Sequence, residues 1–384
     1  MKEYITIKNF GPLRDLEDLE IKPFTFLIGE SASGKSTLMK LVAMMRYLYK
    51  MVNIRFYLRH SNITKSPFRI RLASMMERQG MSKMFSKESL LAYRVEMDDD
   101  ASYEIRIENG KAIFPSSIPH EHLVFYKNSF VSENRNLIPT WAQKAWKNKG
   151  ATLGYYFHET NDDFGNASEG NKTLDLEYVR MKLLITHPKG KPTRYQIMPI
   201  DERHEPIDLT EASSGIQTSA PLALIVDNFA RAFSFKEAFN RSVMSYLYEM
   251  DNLSKFKAVS EPTTLPKVVN IHVEEPELSL FPDAQCQLVE KIVHTALHAE
   301  ADRSVNLMMA THSPYILNYL NIMLNQTKEG RARLTPDNLA AYRLYEGKAQ
   351  NLVAKDDKGR DIVDSYDLAE MMSAIYNEFI HLGV

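Results

Sequence analysis

The chain has 384 residues, 44% of them hydrophobic and 25% charged, with a formal net charge of −2. That length exceeds what one hydrophobic core usually supports, so a core domain with a substantial insertion is expected. The near-neutral balance excludes a globally basic nucleic-acid binder but leaves room for a local basic face. Cys286 is the single cysteine, which excludes an internal disulfide and a cysteine-based zinc site and fits a reducing compartment. Met1 to Ile5 lacks the apolar run of a signal peptide, and no stretch approaches the roughly 20 apolar residues of a membrane span. A cytoplasmic location without membrane contact is therefore expected.

In chain order, Tyr4–Ile7 reads as a short strand, Asn9–Pro12 as a turn, and Leu16, Leu19 and Ile21 as an edge strand with imperfect alternation. Phe24–Ile28 is apolar enough for a strand buried on both faces. Helix-forming sequence begins near Lys35 and continues through Leu48. From Val52 to Asp208 the character changes. Strand pairs are expected at Tyr93–Glu108, around Asp98–Asp100, and at Tyr178–Ile185 with Arg194–Ile200. Trp141–Asn171 reads as a loop or mobile helix. From Ser213 the helix and strand alternation resumes: helix Ser219–Phe233, strand Val268–Val273, helix Asp283–Ala296, strand Asn306–Thr311, strand Ala341–Tyr345 and a terminal helix from about Tyr366. Such alternation indicates a largely parallel α/β sheet.

Gly29-Glu30-Ser31-Ala32-Ser33-Gly34-Lys35-Ser36, followed by Thr37, matches the phosphate-loop pattern G-x-x-x-x-G-K-[ST] without departure. Glycines let backbone N–H groups curl around phosphate oxygens, Lys35 brings charge to the β/γ-phosphates, and the Ser36 hydroxyl can ligate magnesium. The helix that follows aims its N-terminal dipole at the same anion. ATP and Mg2+ are the expected cofactors. Apolar Val268–Val273 ends in Glu274-Glu275-Pro276-Glu277, which puts carboxylates at the carboxyl edge of the sheet. There Glu274 is expected to hold magnesium through water and Glu275 to orient or deprotonate the attacking water. Glu277 is compatible with a site role and with capping the coming turn. Ser213, Ser214, Gly215 and Gln217 stand at a helix start, as an anion-binding nest or as ordinary N-capping. His312 ends a strand in Thr311-His312-Ser313-Pro314, within reach of a γ-phosphate or of the attacking water.

The order of these motifs resembles the ABC-type ATPase heads of the SMC, RecF and OLD families, and most of all bacterial OLD-like "AAA family ATPase" proteins. Glu274–Pro282 and Thr311–Leu317 are typical of that group. The resemblance implies a P-loop NTPase of ABC-ATPase-like head fold, a mostly parallel sheet with an antiparallel β subdomain and an inserted helical or mixed lobe. The core is expected at 1–50 and 205–345, the insertion at 51–204, and a completing strand and helix at 346–384.

Carried over, Ser213, Ser214, Gly215 and Gln217 become the signature that caps the γ-phosphate of a partner protomer, so an ATP-dependent homodimer is expected. Glu275 becomes the catalytic glutamate and His312 the switch histidine. Glu274 stands where many relatives have Asp, and no Q-loop glutamine is found, although Ser132–Arg135 resembles the stretch in that place. The role implied is a regulator of a separately encoded effector in anti-phage defence. A RecF- or SMC-like DNA-binding ATPase is the alternative, for which Arg55–Arg71, Lys144–Lys149 and Lys189–Arg194 supply basic segments. An OLD-type enzyme with its own nuclease is a further alternative. Against it, 72 residues (384 − 312) follow His312, fewer than a second catalytic domain of ~100–150 residues. Phe125, Phe130, Trp141 and Trp146 are candidates for a partner-docking surface.

Overall fold

The computed structural model describes residues 1–64, 70–143, 153–249, 253–260, 264–365, 374, 376–378 and 380–381. β1 (Lys2–Phe10) and β2 (Leu13–Ile21) form the expected hairpin, turned by Asn9 and Gly11 at φ 52 and 51. Their register shifts between Ile5 and Ile7, and this bulge accounts for the three-residue step between the buried positions Leu16 and Leu19 of β2. β3 (Phe24–Ile28) is buried at all five positions. α1 (Lys35–His60) starts where expected but runs well beyond Leu48, to His60. α2 (Leu72–Arg78) follows, then β4 (Leu90–Glu96), β5 (Ser102–Glu108), β6 (Lys111–Ile113) and β7 (Phe125–Val131).

Next come α3 (Ile138–Gln143), α4 (Tyr155–Gly170), β8 (Thr173–Leu176), β9 (Met181–Thr186), β10 (Arg194–Pro199) and β11 (Ile207–Asp208). The last third holds α5 (Ser214–Asp227), α6 (Phe235–Phe239), α7 (Ser245–Glu249), β12 (Lys267–Glu274), α8 (Pro282–Leu297), β13 (Arg303–Ala310) and α9 (Pro314–Asn325). β14 (Leu339–Tyr345), β15 (Lys348–Asn351), β16 (Val353–Lys355) and β17 (Asp361–Val363) complete the described strands.

These elements build the expected α/β class. The central sheet has the order β15-β14-β3-β13-β12-β7, parallel throughout except for the antiparallel edge strand β15. An antiparallel sheet, β2-β1-β4-β5-β6, and a second one, β11-β10-β9-β8, accompany it. Residues of the range 51–204 contribute to all three sheets. β4 pairs with β1, β7 lies beside β12 in the parallel sheet, and β8 to β10 pair antiparallel, with Phe164 of α4 against Tyr195 of β10 at 4.9 Å. α1 packs between the parallel sheet and β5, while α4 and α8 pack against β7 and β13.

Two local expectations change, and a third settles on the helix among its alternatives. The helix expected from Ser219 begins five residues earlier, because extended Ser213 (φ −59, ψ 152) launches it, and after Asp227 it loosens into a π-turn over Asn228–Ala232. Trp141–Asn171 holds the regular helix α4, and Trp141 packs edge-on against Phe157 at 5.5 Å. Phe125 and Phe130, considered for a docking surface, are buried, because β7 is covered by α1 and α4. Trp146 and Lys144–Lys149 lie outside the described residues, as does most of the terminal helix expected from Tyr366. Among the described residues, no helix is long and apolar enough to cross a membrane.

Candidate functional site

β3, β7, β12 and β13 run parallel, so their carboxyl ends share one edge of the sheet, and the segments that follow them converge there. The expected phosphate loop spans β3 and α1. Gly29, Ala32 and Gly34 have φ of 153, 64 and 102. A Cβ on Gly29 would lie 2.5 Å from the Leu344 carbonyl oxygen, and one on Gly34 would lie 2.7 Å from Leu13 Cδ2. Glycine is therefore required twice, by conformation and by space. α1 opens with neither a side-chain cap nor an acidic residue in its first turn, leaving free N–H groups and the positive end of its dipole toward the loop. Lys35 is buried, and its Nζ donates to the carbonyls of Gly29 (2.7 Å) and Glu30 (2.8 Å). Burial lowers its pKa, while Glu275 and Glu277 oppose the shift. An ammonium held only by carbonyls is suited to exchange them for an anion.

Glu274 is 3% exposed. Its Oε1 lies 3.3 Å from Lys40 Nζ, and its Oε2 is buried without a donor. Burial, reinforced by the neighbouring Glu133 carboxyl, pushes its pKa up to about 7, against Lys40 and the Ser36 hydroxyl. Two adjoining carboxyls, one with a donorless oxygen, call for a shared proton or a cation. Glu133 follows β7 and accepts from Ser132 Oγ (3.2 Å) and Asn134 Nδ2 (3.0 Å). Among the described residues, no group of three or more His, Cys, Asp or Glu side chains is set to hold a metal by itself.

Glu275 has φ 46, a left-handed backbone unusual for a residue with a Cβ. Its amide donates to the Ala310 carbonyl at 2.8 Å, which ties the end of β12 to the end of β13. His312 Nε2 lies 3.8 Å from Glu275 Oε1, with the two side chains 40% and 37% exposed. At Glu277, expected either to cap the coming turn or to serve the site, the structure shows a clasp between two turns. The Glu277 carboxylate accepts from Thr311 Oγ1 (2.9 Å) and from the His312 amide (2.6 Å), clasping the loop that carries His312.

Ser213 and Ser214 are exposed at the start of α5, and Ser213 makes no side-chain cap bond. Gly215 packs so closely on the Ser279 carbonyl that a Cβ would meet it at 2.7 Å. The Gln217 amide turns back to donate to the carbonyls of Thr210 (2.9 Å) and Ala212 (2.7 Å). Among the described residues, none of Ser213, Ser214, Gly215 and Gln217 hydrogen-bonds to residues 29–37.

The edge thus gathers Gly29–Thr37, Glu274, Glu275 and His312, while among the described residues no hydrogen bond joins the Ser213–Gln217 segment to the loop. Sequence reasoning missed Lys40 and noted Glu133 and Arg135 only as parts of the Ser132–Arg135 segment. Lys40 sits one helical turn beyond Ser36, a spacing that brings it over the same edge. No sequence pattern showed what Arg135 binds, because its partners are backbone carbonyls.

No protein-family model and no curated protein matches this chain. Solved structures similar to it include an SMC head domain from Thermotoga maritima, at 11% identity and TM-score 0.38 over 92% of this chain and 99% of that one. Another is the recombination mediator protein RecF, at 12% identity and TM-score 0.33 over 92% and 98%. A third is an ATP-binding cassette protein in a dimeric post-hydrolysis state bound to ADP and Pi, at 12% identity and TM-score 0.31 over 90% and 96%. Likeness this distant assigns no role to any residue.

Proposed function

We propose that this chain binds and hydrolyses ATP, closing head-to-tail with a second copy around the nucleotide. One observation carries the reading: Lys35 and its glycine loop share a sheet edge with Glu274, Glu275 and His312, while Ser213 and Ser214 are exposed and make no hydrogen bond to that loop among the described residues. Gly29–Thr37 hold the phosphates. Glu275 orients or deprotonates the attacking water, and His312 beside it contacts that water or the γ-phosphate. Ser36, with Glu274 and its donorless buried oxygen, offers the hard oxygen donors that magnesium takes, the rest coming from phosphates and water. Bound magnesium would offset negative charge on the phosphates. Ser213, Ser214, Gly215 and Gln217 serve the partner's nucleotide.

The finer role is regulation of a separately encoded effector, in the manner of OLD-like proteins of anti-phage defence; the order of the motifs supports it. The decisive experiment measures the mass of Glu275→Gln in solution, with and without ATP and magnesium. A monomer that becomes a dimer on adding ATP is the expected result. A persistent monomer at saturating ATP would sink the composite site.

A further inference from the structure

Arg135 is fully buried, the largest such side chain among the described residues, and no role above uses it. Its Nε donates to the Thr218 carbonyl in α5 at 3.0 Å. Its Nη1 donates to the carbonyls of Ser132 (3.1 Å) and Glu274 (2.7 Å), and its Nη2 to that of Glu275. One rigid planar group thus grips four carbonyls on three segments: the turn after β7, the first half of α5, and the end of β12. A guanidinium presents its donors in a fixed fork, so displacement of any one segment strains the bonds to the other two.

Burial pushes the group down to about 10, against the surrounding charges of Glu277, Glu275, Glu133 and Glu274, so it stays charged at neutral pH. A buried cation is a costly way to fill space that an apolar side chain could fill. What it achieves lies at Glu275. That residue's left-handed backbone is pinned on one side by its amide on Ala310 and on the other by Arg135 on its carbonyl. α5 is seated on the same turn a second time, since Thr218 Oγ1 donates to the Leu278 carbonyl at 2.8 Å.

We propose that Arg135 is the positioning residue for Glu275, and that it makes the aim of this carboxylate depend on the seat of α5, the helix begun by Ser213–Gln217. The inference rests on the ATPase reading and adds a route by which events at the exposed start of α5 reach the hydrolytic carboxylate.

Arg135→Lys keeps the charge and loses the fork. Expected are nucleotide affinity within about 2-fold of wild type, measured with a fluorescent ATP analogue, and turnover lower by about 10- to 100-fold. Residual turnover in a Glu275→Gln background should not fall further when Arg135→Lys is added. Amide exchange without nucleotide should quicken together in residues 213–222 and 274–280, with β3 and β13 unchanged. Unaltered turnover, an equal loss in the Glu275→Gln background, or faster exchange in only one segment would overturn the proposal. Should the variant fail to fold, exchange of the wild-type protein with and without ATP decides instead. Protection must then change in both segments together, and a change in one alone overturns the coupling. If the wild type binds no ATP, the ATPase reading fails separately, while the exchange data on Arg135→Lys still report whether the two segments are tied.

Discussion

At the scale of single residues the site is a set of groups under tension. Glu274 is buried with one oxygen lacking a donor, and its carboxyl is raised to about 7 by burial and by Glu133. A carboxyl whose folded pKa lies above its unfolded value costs nothing below the unfolded value, near 4.5, and opposes folding increasingly as pH rises through 7. Glu274→Gln should therefore be the more stable protein at pH 8, with the difference gone below pH 4.5. Denaturant unfolding of the nucleotide-free proteins across that range checks it. Gly34 makes the opposite case. With φ 102 and Leu13 at 2.7 Å from any added Cβ, Gly34→Ala should lose ~1–3 kcal/mol and most nucleotide binding. Calorimetric titration with ATP reads the second effect, and retained affinity would count against the loop as phosphate cradle.

At the scale of elements, the strand-to-helix turns at the sheet edge are held by one another. The Glu277 carboxylate accepts from Thr311 and from the His312 amide, so the turn after β12 fixes the turn after β13. Glu277→Ala leaves a buried hydroxyl and an amide without their acceptor. It should cost ~1–3 kcal/mol and lower turnover by about tenfold with ATP affinity unchanged. Steady-state kinetics beside binding titrations separate the two. Much of this was legible beforehand. Phe24–Ile28, Val268–Val273 and Asn306–Thr311 read as strands because apolar runs bounded by Pro, Glu and His leave few other choices. α5 was placed five residues late, since Ser213 and Gly215 look like loop residues until a neighbouring turn packs against them.

At the scale of the whole molecule, the antiparallel sheet is joined to the site through a buried polar network. Arg46 of α1 donates to Glu3 of β1 (2.8 Å) and lies 3.2 Å from His272 of β12, while Tyr93 of β4 donates to the same Glu3 oxygen (2.7 Å). Arg46→Ala strands a buried carboxylate and should cost ~3–5 kcal/mol in denaturant unfolding, where a surface arginine would cost almost nothing. His272 is held neutral, its pKa lowered to about 3 by burial and then by Arg46. The unfolded chain takes up that proton first, so stability is full above about 6.5 and falls as pH drops toward 3. His272→Gln should flatten that acid limb.

The sequence by itself determined the Gly29–Ser36 turn between β3 and α1, because its glycines stand at fixed spacing and its backbone geometry is local. It also determined the alternation of strand and helix, through hydrophobic period. Only the tertiary structure decided that Glu133 and Lys40 face Glu274, that Phe125 and Phe130 are buried, and that β4 and β5 extend the sheet of β1. It alone decided that Arg135 joins α5 to Glu275. Each of these depends on contacts between residues distant along the chain, many through backbone carbonyls that every residue carries, and no side-chain pattern announces those.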